Sequence, residues 1–465
     1  MSDSYAGSHS SNANVLAGAE RAALSRQLLA GRVREYLQFD SPLASSLTAW
    51  GALGVAASLA AIGRNRRALD WLGLAHRSSQ SQVTQHVVET ILKQPRASAI
   101  GARVNEAYDR FLASLSAEEK HRRPENLLGS RLLVVKSPAP RERGVIIIDY
   151  TYAFPIFARY CDLSELAKKY YIVLEPSWVG YCVPEILVYS RLADPVFVQT
   201  NEPPDQAFLQ RVSPNFVPVP VVANWWIDYR LIRPVPGVSK DADLSMVASW
   251  TRFKRHAALF AALQRLRRRG VKLRAVLIGY PVDGTLTRDD IYRQAKYFDV
   301  ADQVEIHEHL TPPQVAEQLS RTKAHVLWSR REGCNRAIIE AMLTDVPVIL
   351  RSGFNFGHDY PYINAKTGRF ANEDSLPSAL LEMAEQHAQY SPRAWVLENM
   401  TPQIATNVLN DHIKRIALGN NEAWTSDIVV KTAQLNGATY WDPADQVRFK
   451  DDYAFLRSLC TSRTS

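Results

Sequence analysis

Cysteine is scarce in this chain, and the four that occur, Cys161, Cys182, Cys334 and Cys460, lie far apart with no CxxC pair. Such spacing argues against a disulfide framework or a thiolate zinc site and fits a reducing, cytoplasmic setting. No DxD pair stands at a strand end in the context of a metal-dependent binding site. Asp289-Asp290 and Asp451-Asp452 are adjacent pairs, and neighbours on a helix point about 100° apart, so neither pair can readily share a cation. No metal is therefore expected. Aromatic and arginine residues are not gathered into any RNA- or DNA-binding motif, and nucleic acid is not an expected partner. The charge excess is also small: 55 basic against 47 acidic residues give +8, which suits an anionic ligand or a membrane surface.

The first stretch, 1–20, is rich in Ser, Asn and Gly and lacks the charged-then-apolar order of a secretory leader, so it reads as a disordered tail. Leu47–Gly63 carries no charge, but it is at the lower length limit for spanning a bilayer. The reading preferred here is a soluble helical hairpin that turns at Gly63-Arg64-Asn65 and continues through Ala68, Leu72 and Ala75. Gln82–Leu92 and Ile100–Leu115 add further helix, making 21–125 an all-helical appendage.

From Arg131 the period changes. Leu132–Lys136, Val145–Tyr150, Tyr171–Leu174, Pro195–Gln199 and Phe216–Val222 are short apolar runs bounded by Pro, Gly, Asp and Asn, the pattern of buried strands. A hinge over Val221–Lys240 separates them from a more regular alternation. There, strands at Leu244–Ser249, Leu273–Gly279 and Gln303–His307 alternate with helices at Phe253–Arg269, Asp290–Phe298 and Pro312–Arg321. This is the signature of βαβ units and a parallel sheet.

The densest segment is Ala324–Leu350. Strands at Ala324–Ser329 and Pro347–Leu350 flank a helix, Arg336–Leu343, which places Ala337, Ile338, Ala341 and Met342 on one face. Glu332 lies in the loop and Glu340 in the helix, so both can line a crevice above the strand's carboxyl end, where open α/β sheets bind ligands.

Glu332-Gly333, Glu340-Ala341-Met342 and Pro347-Val348-Ile349 together resemble the EGxxxxxxEAM…PVI motif of family-4-type retaining glycosyltransferases of the GT-B fold (glycosyl transferases group 1). Ser249-Trp250-Thr251-Arg252-Phe253-Lys254 resembles that family's strand-loop-helix segment with its diphosphate-binding lysine, and Ile232-Arg233-Pro234 the end of its interdomain linker. The resemblance implies an α/β chain with two Rossmann-like domains facing a cleft: an acceptor-side domain over 126–225, a nucleotide-sugar-binding domain over 226–440, and a C-terminal helix, 441–465, crossing back to the first.

It also implies roles. Glu332 would meet the hydroxyls of the transferred sugar, and Lys254 would supply positive charge to the departing diphosphate, the kind of electrostatic help that dominates transition-state stabilisation. Glu340 would accept both ribose hydroxyls in charge-assisted hydrogen bonds. Backbone N–H groups of Gly333, Cys334 and Asn335 would open the helix toward phosphate. Ser249 stands where many members carry a second cation, with Arg252 as a possible substitute. Two further departures fall on the acceptor side: Asp149-Tyr150-Thr151-Tyr152 replaces the usual Gly-Gly loop, and no histidine occurs between His121 and His256.

The implied activity is transfer of a sugar, with retention, from a nucleotide diphosphate sugar to a carbohydrate or lipid-linked acceptor, with no cofactor. The setting would be polysaccharide or envelope synthesis, in the cytoplasm or at the inner face of the membrane with possible peripheral association. The alternative is a non-catalytic nucleotide- or glycan-binding protein on the same scaffold.

Overall fold

The computed structural model describes residues 16–93, 99–115, 123–200, 202–282, 286–329, 332–333, 335–353, 360–434 and 437–461. Two compact units emerge. One comprises Met1–Tyr36, Arg230–Glu332 and Ala337–Leu397, and is called the 230–397 unit below; the other comprises Leu37–Tyr229, Gly333–Arg336 and Glu398–Ser465, the 37–229 unit.

Five helices open the described chain: α1 (Gly18–Glu35), α2 (Pro42–Ala61), α3 (Asn65–Ser78), α4 (Gln82–Leu92) and α5 (Ala99–Ala113). The tail expected over 1–20 falls mostly outside the described residues, and α1 begins within its last positions. The appendage expected over 21–125 is divided. Helix α1 belongs to the 230–397 unit, where Arg21 stacks over the Tyr297 ring at 4.9 Å and Glu35 pairs with Arg255 at 3.1 Å. Helices α2–α5 belong to the 37–229 unit. The hairpin turns at Gly63, whose φ of 73° lies in the left-handed region that glycine enters without a Cβ clash.

In the 37–229 unit, β1 (Leu132–Lys136) runs antiparallel to β2 (Gly144–Asp149). Strands β3 (Tyr170–Glu175), β4 (Val196–Gln199) and β5 (Phe216–Val219) follow in parallel, in the order β1-β2-β3-β4-β5. Every residue of β1 to β4 is buried, which explains why these strands read as continuous rather than alternating apolar runs.

The 230–397 unit holds β6 (Ala242–Val247), β7 (Ala275–Gly279), β8 (Val304–Glu308), β9 (Thr322–Leu327), β10 (Val348–Arg351) and β11 (Gly368–Ala371). All pairings are parallel and the order is β11-β10-β9-β6-β7-β8. Progress along the sheet therefore reverses between β6 and β9. This is the strand order of a nucleotide-binding sheet, and its ligand crevice opens outside the carboxyl ends at that reversal. Each unit is thus the α/β element that the resemblance to GT-B glycosyltransferases implies.

The chain rejoins the 37–229 unit at Glu398, earlier than the position 441 read from sequence. The helix expected over Ala394–Ala417 is two, Pro392–Asn399 and Pro402–Gly419. Pro402 has no N–H to continue the first, and the Thr401 hydroxyl caps the second by accepting from Ile404 N at 3.3 Å. An unpredicted hairpin, β12 (Lys431–Gln434) with β13 (Gly437–Tyr440), precedes the last helix, Lys450–Thr461. There Tyr453 Oη accepts from Val134 N of β1 at 3.2 Å, and Cys460 is disulfide-bonded to Cys161. That bond corrects the expectation of four unpaired thiols: separation along the chain says nothing of distance once the final helix packs back on the sheet. Cys182 is a buried free thiol.

Candidate functional site

The loop after β6 is fixed by its aromatic side. Trp250 is fully buried, donates from Nε1 to Glu308 at 2.9 Å and pairs backbone N–H to Tyr280 O at 2.8 Å. With that anchor set, Arg252–Lys254 forms a single tight turn, closed by Lys254 N to Thr251 O at 3.1 Å. Arg255 then takes φ 58°, a left-handed conformation unusual for a residue with a Cβ, before helix His256–Arg267 starts. Ion pairs from Arg255 to Glu35 at 3.1 Å and Glu373 at 2.7 Å hold it there.

This geometry turns Lys254 inward and leaves Arg252 exposed. Lys254 is only 8% exposed and forms an ion pair with Glu332, also 8% exposed, in the loop after β9. The two loops that bracket the strand-order reversal are therefore joined by one buried lysine and one buried carboxylate. Buried charges are tolerated only when paired, and a pair at the mouth of a crevice is a functional-site signature. Phe253 lies beside it, its ring 4.8 Å from Lys254 Nζ.

Helix Arg336–Leu343 buries the predicted Ala337, Ile338, Ala341 and Met342, together with Ile339 and Leu343. Glu340 is half-buried. Ser249 is half-buried, with its hydroxyl 3.5 Å from that of Thr251. Cys334 lies outside the described residues. Gly333 has no room for a side chain: a Cβ there would come 2.5 Å from Trp178 Cα, so glycine is required by the approach of protein backbone.

Asn335 Oδ1 and Ser329 Oγ are buried with no hydrogen-bond partner among the described residues. Groups of this kind are costly unless something supplies the missing bond. Ser329 was not singled out from sequence, although its place as the first polar residue beyond an apolar strand run is a usable signal.

The same signal marks a second polar cluster, in the 37–229 unit. Asp149, Glu175 and Gln199 end the adjacent parallel strands β2, β3 and β4. Glu175 pairs with Lys431 of β12 at 2.7 Å and accepts from Gln199 Nε2 at 3.1 Å. Asp149 pairs with Arg131 at 3.2 Å. Burial, reinforced by the neighbouring Glu175 charge, pushes the Asp149 carboxyl up to about 7. The carboxyl edge of this sheet is therefore filled by its own ion pairs.

Residues 242–386 match the family model described as glycosyl transferases group 1. No curated protein matches the chain. Among solved structures, the chain is similar to sucrose-phosphate synthase from Thermosynechococcus elongatus at 16% identity, with 70% of this chain and 82% of that one aligned and a TM-score of 0.47. It is similar to Anabaena HepE in complex with UDP at 14% identity, over 59% and 79% of the two chains, with a TM-score of 0.44. The corresponding values for TarM are 13%, 58%, 54% and 0.45.

Proposed function

From the premise that residues 242–386 form a glycosyl transferases group 1 segment, we propose that this protein transfers a sugar from a nucleoside diphosphate sugar to a carbohydrate or lipid-linked acceptor, with retention at the transferred carbon. The observation that carries the proposal is the buried Lys254–Glu332 pair joining the loops on either side of the strand-order reversal.

In this reading Lys254 faces the diphosphate, Glu332 the sugar hydroxyls and Glu340 the ribose. The bond between the sugar's anomeric carbon and the diphosphate oxygen breaks, and its electron pair leaves on the diphosphate, where Lys254 offsets the growing charge. An acceptor hydroxyl forms the new bond on the same face, and its proton passes to the departing phosphate oxygen, so no protein base is needed. Asn335 and Ser329 offer unfilled hydrogen-bonding capacity near the same loop. The reaction would proceed without metal or cofactor, in polysaccharide or envelope synthesis.

A second reading, nucleotide or glycan binding without transfer, draws on the filled edge of the 37–229 sheet, where Glu175–Lys431 and Asp149–Arg131 occupy the strand ends. One experiment separates the two. The protein is incubated with a panel of nucleotide sugars plus cell-extract acceptors, and nucleotide release is followed for wild type and Glu332→Gln. Release that the variant loses supports transfer; donor binding with no release from any sugar leaves the binding reading.

A further inference from the structure

Helix α2 has no charged side chain over its whole length, and the uncharged run extends from Ser41 to Gly63. By length and composition it is apolar enough to cross a bilayer. It is nevertheless one half of a hairpin. Ser45, Ala49, Ala52, Leu53 and Ala56 are buried, and Ser45 Oγ donates to Ser78 O, at the end of α3, at 2.6 Å. Spanning would strip α2 from this partner, whose own sequence includes Arg66, Arg67, Asp70 and Arg77.

The opposite face is the anomaly. Leu43 is 73% exposed, Leu47 65% and Trp50 49%, and at about 100° per residue they fall on one side of the helix together with Gly54 and Ala61; Ile62, 67% exposed, follows as the C-cap residue. A helix facing water normally places polar groups there. The hydroxyls that α2 does carry beyond its buried side are turned back on the helix itself: Ser46 donates to Pro42 O at 2.7 Å, Thr48 to Ala44 O at 2.8 Å and Ser58 to Gly54 O at 2.9 Å. These hydroxyl protons are thus satisfied without water, a habit suited to an apolar medium.

Two more features identify that medium. Just beyond Gly63, Arg64 and Arg67 are exposed, and among the described residues α2 itself carries no carboxylate; the exposed acids nearest in sequence are Asp40, before α2, and Asp70, on α3. Next to Trp50, Gly54 and Ala57 opens a cavity of about 550 Å³ among α2, α3, α4 and α5, whose lining among the described residues is apolar except for Asn65 and Arg103. An apolar face, a cationic end and an apolar cavity are jointly complementary to one partner, a bilayer containing anionic phospholipid.

We propose that the exposed face of α2 docks this protein on an anionic membrane surface. The helix lies in the plane of the interface. Leu43, Leu47, Trp50 and Ile62 enter the acyl boundary, Arg64 and Arg67 meet lipid phosphates, and the cavity accommodates an acyl chain.

The test is co-sedimentation of the full-length chain with vesicles of phosphatidylcholine alone or mixed with phosphatidylglycerol. Binding is expected to the mixed vesicles and to weaken with added salt. Leu47→Glu should lower partitioning by about tenfold or more, since it removes a buried leucine's contribution and places a charge in the interface. Arg64→Glu with Arg67→Glu should abolish the preference for phosphatidylglycerol. Both sites face water, so thermal unfolding should be unchanged; if Leu47→Glu misfolds, Leu43→Glu serves instead. Failure to sediment with either vesicle at low salt overturns the proposal. So does a dimer in analytical ultracentrifugation that Leu47→Glu dissolves, which would assign the face to a second copy. No sugar nucleotide is involved, so a negative result leaves the transfer reading untouched.

Discussion

Lys254 and Glu332 neutralise each other across the two loops that bracket the reversal of strand order between β6 and β9, and both are nearly withdrawn from water. Removing one partner from a buried pair leaves the other charge uncompensated, at a cost of roughly 3 to 5 kcal/mol. Lys254→Met and Glu332→Gln should each destabilise the 230–397 unit, and the double variant should lose much less than the sum of the two. A double-mutant cycle in urea, read by tryptophan fluorescence, measures this coupling. Strict additivity would mean that the pair is not formed in solution. Lys254→Met should in addition weaken nucleoside diphosphate binding beyond any loss of folded protein.

Glu340 gives a separable prediction. It is only half-buried, while the apolar residues of its helix carry the packing. Glu340→Ala should weaken nucleoside diphosphate affinity by about 1.5 to 3 kcal/mol, the range for hydrogen bonds to a charged group. Calorimetry with adenosine, guanosine and uridine diphosphates tests this and identifies the base at the same time. Equal affinity in wild type and variant would remove Glu340 from the ribose.

The buried histidines of the 230–397 unit and Asp149 of the 37–229 unit should respond to acid in opposite directions. In the 230–397 unit, burial lowers His256 and His325 to about 3. Both are neutral in the fold, whereas the unfolded chain takes up their protons from about pH 6.5 downward. Their contribution is complete above that value and is lost as pH falls from 6.5 toward 3, at up to about 1.4 kcal/mol per pH unit for each group. His256→Phe should flatten this slope, since neither ring nitrogen has a hydrogen-bond partner among the described residues and Trp250 packs edge-on at 5.3 Å. In the 37–229 unit, Asp149 is raised to about 7, so the native state holds a proton that the unfolded state releases. Stability from this group is present below pH 3.8 and is lost as pH rises through 7. Asp149→Asn should remove that dependence. Chemical denaturation from pH 4 to pH 7.5 distinguishes both slopes, and an unchanged profile in either variant would refute its assignment.

Much of this was legible because strand burial leaves a strong trace. Leu132–Lys136 and Gln82–Leu92 coincide with β1 and α4, and motif context singles out the loop glutamate and the distant lysine that the fold brings into contact. What escaped depended on long-range return of the chain. Lys431 reads as an ordinary lysine until β12 brings it to Glu175, and α1 reads as part of the helical appendage until Glu35 reaches Arg255. No local periodicity encodes either meeting. Gly333 reads from sequence as one of the residues opening the helix toward phosphate, while the backbone at Trp178 already demands a glycine there.

The Cys161–Cys460 bond makes the last such meeting testable. Cys161 directly follows helix Phe154–Tyr160, and Cys460 lies near the end of helix Lys450–Thr461, with Cα atoms 4.5 Å apart and a sequence separation of 299. Both are buried, and Asp452 of the same helix accepts from Ser137 Oγ at 2.6 Å, so packing holds the final helix even without the bond. Of the four cysteines, the two that pair should be silent to a thiol reagent in denaturant without reductant, leaving two that react. Closing so long a loop restricts the unfolded chain, with a chain-entropy ceiling of roughly 5 kcal/mol. Reduction should therefore lower the melting temperature of the 37–229 unit, and Cys161→Ser with Cys460→Ser should reproduce the reduced value and abolish its sensitivity to reductant. Four reactive thiols in the untreated protein would show that packing alone brings the final helix back.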